Sequence, residues 1–254
     1  MDVNKLLHLA TYAGIIMLES GAEIYRVEET ICRICKSYEI DEADSFVTPT
    51  GIMVSICYKD QTYSIVKRIT IRGVDLYKIE RINDLSRRIA SIKLPLNKIE
   101  DELKDINNTE RYSLLSTLFF SGIAAGFFSV LFGGNLKDLF ASFFIGAFIK
   151  YLSMIFNKMS INDFFVNTIC AAASATFAIL FLHLGLIDNI DKTIIGAIMI
   201  LVPGLAITNA IRDTIAGDYL GGIIKASEAF LVAIAIAVGT GIIISLWLKI
   251  LGGV

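Results

Sequence analysis

Hydrophobic and polar positions along the chain change rhythm once. Up to about residue 110 apolar side chains recur at helical or strand spacing among charges; beyond Tyr112 they run together in long blocks. In the first part Leu6, Leu9, Ala10, Ala13 and Met17 share one helical face. Residues 6–18 therefore read as the first helix of a cytoplasmic domain. They do not read as a secretory leader, because acidic residues and no small-residue cleavage site follow. Ser20, Gly21, Ala22 and Glu23 match a capping box, which predicts a second helix running to Ser37.

A β region comes next. Phe46 and Val47 lead into Thr48, Pro49, Thr50 and Gly51, a turn signal because proline presets φ and glycine accepts positive φ. Residues 52–58 are rich in β-branched side chains, Lys59, Asp60 and Gln61 form a turn, and residues 62–71 make another strand. Asp75 can cap a helix that buries Leu76, Ile79, Ile82, Leu85 and Ile89. Its other face carries Lys78, Arg81, Arg87 and Arg88 and reads as solvated, with lipid headgroups the lesser alternative. Pro95 ends that helix, and a short charged helix or linker runs to Thr109. The order α-α-β-β-β-α-α predicts a small α+β domain over residues 1–110.

Residues 111–254 read as a membrane domain. Each crossing needs about 20 apolar residues, and residues 113–132, 139–156, 164–187, 194–211 and 220–248 supply five candidates. The chain is thus expected to be an α-helical multi-span membrane protein, about five transmembrane helices following the polar domain. Small residues are dense in these blocks (Gly122, Gly126, Ala171 to Ala173, Gly239, Gly241) and let helices approach closely in lipid. That predicts a packed bundle or an oligomer. Arg111, Lys150, Lys158 and Arg212 would lie inside, against Lys137, Lys192 and Lys249 outside. This weak bias, together with the polar domain, places the N-terminus in the cytoplasm of a multi-pass cell-membrane protein. An odd number of spans would then put the C-terminus outside.

Composition sharpens the division. The chain is 55% hydrophobic and 19% charged, and 14 of its 48 charged residues follow Tyr112. Net charge is −2, which offers no footprint for nucleic acid. Cys32 and Cys35 form a C-x-x-C with no second pair and no neighbouring histidine, so small apolar helix positions are the plainer reading over metal or redox use. No Walker motif, dinucleotide fingerprint or His-rich cluster is present. No catalytic residue, metal or cofactor is assigned.

The candidate chemistry concentrates in LVPGLAITNAIRDTIAGDYLGGIIKASE, residues 201–228. Pro203 and Gly204 interrupt the fourth block. A proline in lipid frees a carbonyl that a ligand, water or protein must satisfy, so a transporter site and a plain packing kink are both open. Asn209, Arg212, Asp213, Asp218, Lys225 and Glu228 follow. Glu228 would lie roughly 12 Å into the fifth span, where an ionisable group either serves transport or pairs, here with Lys225. His183 reads as interfacial. In the polar domain Glu19, Glu23, Arg26, Thr48 and Pro49 are candidates, although the charged three could equally be helix-surface ion pairs.

Together, LLHLATYAGIIMLESGAEIYRVEETI, FVTPTGIMVSI, RITIRGVDLYKIERINDLSRRI and PGLAITNAIRDTIAGDYLGGIIKASEA resemble the threonine/serine exporter family, specifically its N-terminal half as a five-span subunit. The resemblance implies secondary export of threonine, serine or, in some relatives, succinate, and a non-enzymatic role. It also implies a second small polytopic membrane subunit of the same family, since the chain stops just after the fifth block, and a homo- or hetero-oligomer. Proton coupling would use Glu228 or Asp213, with Arg212 facing a carboxylate. The competing readings are a membrane-anchored hydrolase or sensor built on the polar domain, which lacks a nucleophile–base pair, and a channel-like or structural assembly.

Overall fold

In the computed structural model, residues 2–70, 73–109, 112–159 and 161–251 are described. Ile71, the expected end of the third strand, and Arg111, counted above for orientation, lie outside these residues. Helix α1 (Val3–Glu19) is capped by Asp2, whose carboxylate accepts from the Lys5 N–H at 2.9 Å. Helix α2 (Ile24–Lys36) follows, but no capping box joins the two. Ser20 instead closes α1, Gly21 turns the chain at φ +85°, and Glu23 precedes α2 without a side-chain cap bond. A side chain at Gly21 would also meet the Gly73 carbonyl at 2.8 Å.

Strands β1 (Glu42–Thr48), β2 (Gly51–Tyr58) and β3 (Gln61–Arg68) form an antiparallel meander. Lys59 and Asp60, both at positive φ, make the two-residue turn whose twist suits adjacent strands. Ala43, Val47, Ile52, Val54 and Ile56 bury one face in the same core as Leu6, Ala13, Met17, Ile24 and Ile31. The opposite face exposes a cross-strand row of Phe46, Met53 and Val66.

Asp75 caps helix α3 (Leu76–Ile92) through the Tyr77 and Lys78 N–H groups, as its position predicts. Ile79, Ile82, Leu85 and Ile89 are buried, whereas Leu76 at the first turn is exposed. Pro95 does not end this helix. Lys93 ends it in a left-handed conformation, and Pro95 opens helix α4 (Leu96–Asn108), where its missing N–H costs no intrahelical bond. Much of the basic face is also not simply solvated. Lys78 donates to the Asn107 carbonyl at 2.6 Å, Arg81 pairs with Asp105 at 3.3 Å, and Arg88 pairs with Glu102, so α4 neutralises it, leaving Arg87 exposed.

Among the described residues four helices are long and apolar enough to cross a membrane: α5 (Leu114–Leu131), α6 (Leu136–Lys158), α7 (Asp163–His183) and α10 (Tyr219–Leu251). The expected fourth span, residues 194–211, is overturned. It is divided into α8 (Ile190–Ile198) and α9 (Gly204–Ile215). After Ile198 the chain tightens through bonds from Leu201 to Ile198 and from Val202 to Met199, then stops at Pro203, which has no N–H to continue. The argument from an odd number of spans falls with it.

The chain forms two compact units, residues 1–111 with 205–227 and residues 112–204 with 228–254. Residues 205–227, read from their hydropathy as part of the membrane half, pack with the sheet-bearing unit. Within the second unit, small residues let helix backbones meet. A Cβ at Gly126 would lie 3.0 Å from the Leu139 carbonyl oxygen, and one at Gly239 only 2.2 Å from that of Thr168. Asp138, fully buried, completes the Asn135 capping box of α6 and accepts from the Asp188 and Asn189 N–H groups at 3.1 Å each and from the Asn189 amide at 2.9 Å.

Candidate functional site

The first N–H groups of a helix have no partner within it. At α2 this deficit is met from a distant part of the chain. The spacing of three and four residues puts Asn209, Arg212 and Asp213 on one side of α9, and all three engage the turn between α1 and α2. Asp213, completely buried, accepts from the Ile24 N–H at 3.1 Å and so caps α2, where the helix dipole favours negative charge. Asn209 donates to the Gly21 carbonyl at 2.8 Å, and Arg212 pairs with Glu23 at 2.7 Å.

Lys225, in the second turn of α10, closes the arrangement. Its ammonium lies 2.7 Å from the second Asp213 oxygen and donates to the Ala22 carbonyl at 3.1 Å. Asp218 caps the start of α10 by accepting from the Gly221 N–H at 3.1 Å, while its own N–H goes to the Asp213 carbonyl. Arg26 adds a longer contact to Glu23 at 3.6 Å. The Lys225 side chain is 12% exposed and that of Arg212 57%, so one pair is enclosed and the other is open to water.

The surrounding carboxyls are tuned in opposite directions. Burial pushes Glu23 up, but its own backbone N–H, the Arg212 hydrogen bond and the charges of Arg26 and Arg212 outweigh it and hold the group below the ordinary carboxylate range. Glu28, one turn along α2, is held above that range. Burial is the main cause, the Val47 N–H at 2.9 Å opposes it, and the charges of Asp218 and Asp213 add to it.

Asn209, Arg212, Asp213, Asp218 and Lys225 therefore gather around Glu23 and Arg26. The other sequence candidates lie elsewhere. Thr48 bonds within its own turn to the Gly51 carbonyl at 3.4 Å, and Pro49 is buried beside it. Glu19 ends α1, its carboxyl raised by burial and drawn back by Lys78. Pro203 and Gly204 mark the break between α8 and α9 in the second unit, and Glu228 is half-buried on α10 in that unit. Lys225, expected to pair with Glu228, has its ion pair with Asp213. Cys32 and Cys35 are free, and burial, with Cys32 adjacent, pushes the Cys35 thiol up to about 12.

Sequence reasoning missed the Ile24 N–H, the Gly21 and Ala22 carbonyls, and Glu28. Only Ser20, Gly21, Ala22 and Glu23, misread as a capping box, drew attention to the turn. The assembled groups offer a guanidinium, an ammonium and a helix N-terminus for carboxylates, with carboxylates and the Gly21 and Ala22 carbonyls for an amine.

Comparison with known proteins adds to this picture. Residues 8–247 match the model of the family described as "Putative threonine/serine exporter". A "Probable succinate transporter subunit YjjP" of Escherichia coli (strain K12) is 21% identical over 245 residues, covering 96% of this chain and 95% of that one. Its namesake in Klebsiella aerogenes is 20% identical over 97% of this chain and 95% of its own length. A "Probable threonine/serine exporter" of Mycobacterium tuberculosis (strain H37Rv) is 23% identical over 97% of this chain, which spans only 46% of that protein. No solved structure matches the chain.

Proposed function

The chain belongs to the threonine/serine exporter family, and on that premise we propose that it is one subunit of a secondary exporter of small hydrophilic metabolites. The substrates would be amino acids such as threonine and serine, or small dicarboxylates such as succinate. A second small membrane subunit of the same family would complete the pathway in the cell membrane, with residues 1–110 on the cytoplasmic side.

The supporting observation is one of length. The chain spans nearly all of two relatives named as transporter subunits and just under half of one named as an exporter. A single chain in one case would correspond to two in the other. The assignment is to transport, with no catalytic step given to the polar domain.

For the site we take the ion-paired group around Asp213. A substrate carboxylate could exchange with Glu23 on the exposed Arg212, and an amine could compete with Lys225 for Asp213 or the Ala22 carbonyl. Such exchange replaces one charge pair with another, so substrate enters without leaving a buried charge alone. Glu28, held above the ordinary range, is the nearby group best disposed to carry a proton. The test is efflux from cells preloaded with threonine-containing dipeptides. The chain is expressed alone, with the membrane protein encoded beside it, and as Arg212→Gln, Lys225→Gln and Glu228→Gln. Efflux should require the pair and fall with the first two variants. Equal efflux in every arm, and again with succinate, would sink the proposal.

A further inference from the structure

Away from the Asp213 group, the polar unit has a cavity of about 570 Å³ between α1, α4 and β3. Tyr12 and Ile15, both half-buried, supply an apolar wall from α1. Around them stand three ammonium groups, those of Lys5 on α1, Lys104 on α4 and Lys67 on β3. Glu100 is the one carboxylate in the lining, and it lies between Lys5 at 2.7 Å and Lys104 at 2.6 Å. Hydrogen bonds from Lys104 and then Lys5 push its carboxyl down to about 2, so it is ionised at neutral pH.

Glu100 fixes two ammonium groups without exhausting them. Each ammonium has three N–H donors. Lys104 commits one to Glu100, and Lys5 adds one to the Asn97 side chain at 2.6 Å. The Lys67 ammonium makes no hydrogen bond or ion pair among the described residues. Asp101 adds its field at Lys104 but does not line the cavity. Three positive charges against one negative leave two unmatched beside an apolar wall.

We propose that this cavity binds a small organic dianion, a dicarboxylate or phosphomonoester with an apolar body, at a site separate from the transport group. The carboxylate or phosphate oxygens would take the spare donors of Lys5 and Lys104 at one end and Lys67 at the other. The apolar body would cover Tyr12 and Ile15. A volume within the range of small-molecule pockets leaves room for more than a three-carbon metabolite.

The test uses the full chain in phosphatidylcholine nanodiscs and radiolabelled succinate, with inorganic phosphate as competitor. In Arg212→Gln, which removes the transport group's own hold on carboxylates, saturable succinate binding is expected to remain and to be displaced by phosphate. Lys67→Ala and Lys104→Ala should each weaken it about tenfold or more, as for loss of one charge-assisted bond. Both lysines are exposed, so neither change removes packing, and far-ultraviolet circular dichroism checks the fold. Absence of saturable binding, or wild-type affinity in both lysine variants, would overturn the proposal. So would loss of succinate binding on adding phosphatidic acid, since a lipid headgroup would then be the occupant. Loss in Arg212→Gln alone would move the binding to the transport group and equally overturn it.

Discussion

Asp138 in the membrane unit and Asp213 in the polar unit are both wholly shielded from water, and both accept from backbone N–H groups at a helix start, yet they are held differently. Asp138 accepts from N–H groups of Asn135, Asp188 and Asn189, with the Asn189 amide added. Most of these donors are backbone and cannot leave without unfolding the turn. Asp213 accepts one backbone N–H, from Ile24, and is otherwise balanced by Lys225, a side chain on four rotatable bonds. One carboxylate is a fastening; the other has a partner that can be exchanged. A buried charge alone therefore does not mark a transport site, because the mobility of its counter-group decides what it can do.

The largest effect should come from the fastening. Asp138→Ala takes the acceptor from four part-buried donors, at about 1–3 kcal/mol for each that water cannot reach, so thermal melts in detergent should fall by about 10 °C. A melt close to wild type would remove the distinction between the two acids. Next comes Lys225→Met, which leaves Asp213 buried and unpaired at a cost of about 3 kcal/mol. Adding Asp213→Asn should restore part of that stability but no efflux, a non-additivity expected of a direct pair. Additive losses would show that the two residues do not act together.

Arg212→Gln should separate function from stability. Its guanidinium is largely exposed, so the melt should change by less than about 1 kcal/mol in stability, whereas efflux should drop about tenfold. Unaltered efflux would restrict Arg212 to a surface pair. The smallest effects are in pH. Glu23 is depressed, so the stability it contributes is complete above the unfolded carboxylate value of about 4.3 and is lost as pH falls below it. Glu28 is raised, so the fold favours its protonated form. Its contribution is complete at low pH and is lost as pH rises through its elevated value. Melts of Glu23→Gln and Glu28→Gln against wild type should therefore converge on wild type at low pH from opposite sides: Glu23→Gln less stable at neutral pH, Glu28→Gln more stable.

Much of the fold was legible because its determinants are local. The face of Leu6, Leu9, Ala13 and Met17, the Asp75 cap and the turn at Lys59 and Asp60 each depend on residues within a few positions. Two local patterns nevertheless misled. Ser20 and Glu23 have capping-box spacing, but Glu23 pairs with Arg212, and the cap at the Ile24 N–H comes from Asp213. Residues 194–211 have the apolarity of a span, but Pro203 breaks their hydrogen-bond ladder, and the second piece packs with the polar unit. Hydropathy averages over a window and does not register one missing donor.

Residue order alone therefore settled most of the helices and strands and which stretches are apolar, and its spacing is enough to put Asn209, Arg212 and Asp213 on one helix face. These follow from period, cap and turn chemistry, which act over a turn or two of chain. Tertiary structure decided the partners: Arg212 with Glu23 and Asp213 with Ile24, each 189 positions apart, and Lys225 with Asp213. A buried charge takes whatever counter-charge and donors the fold brings within about 3 Å. No spacing rule within a single helix or strand encodes such a meeting.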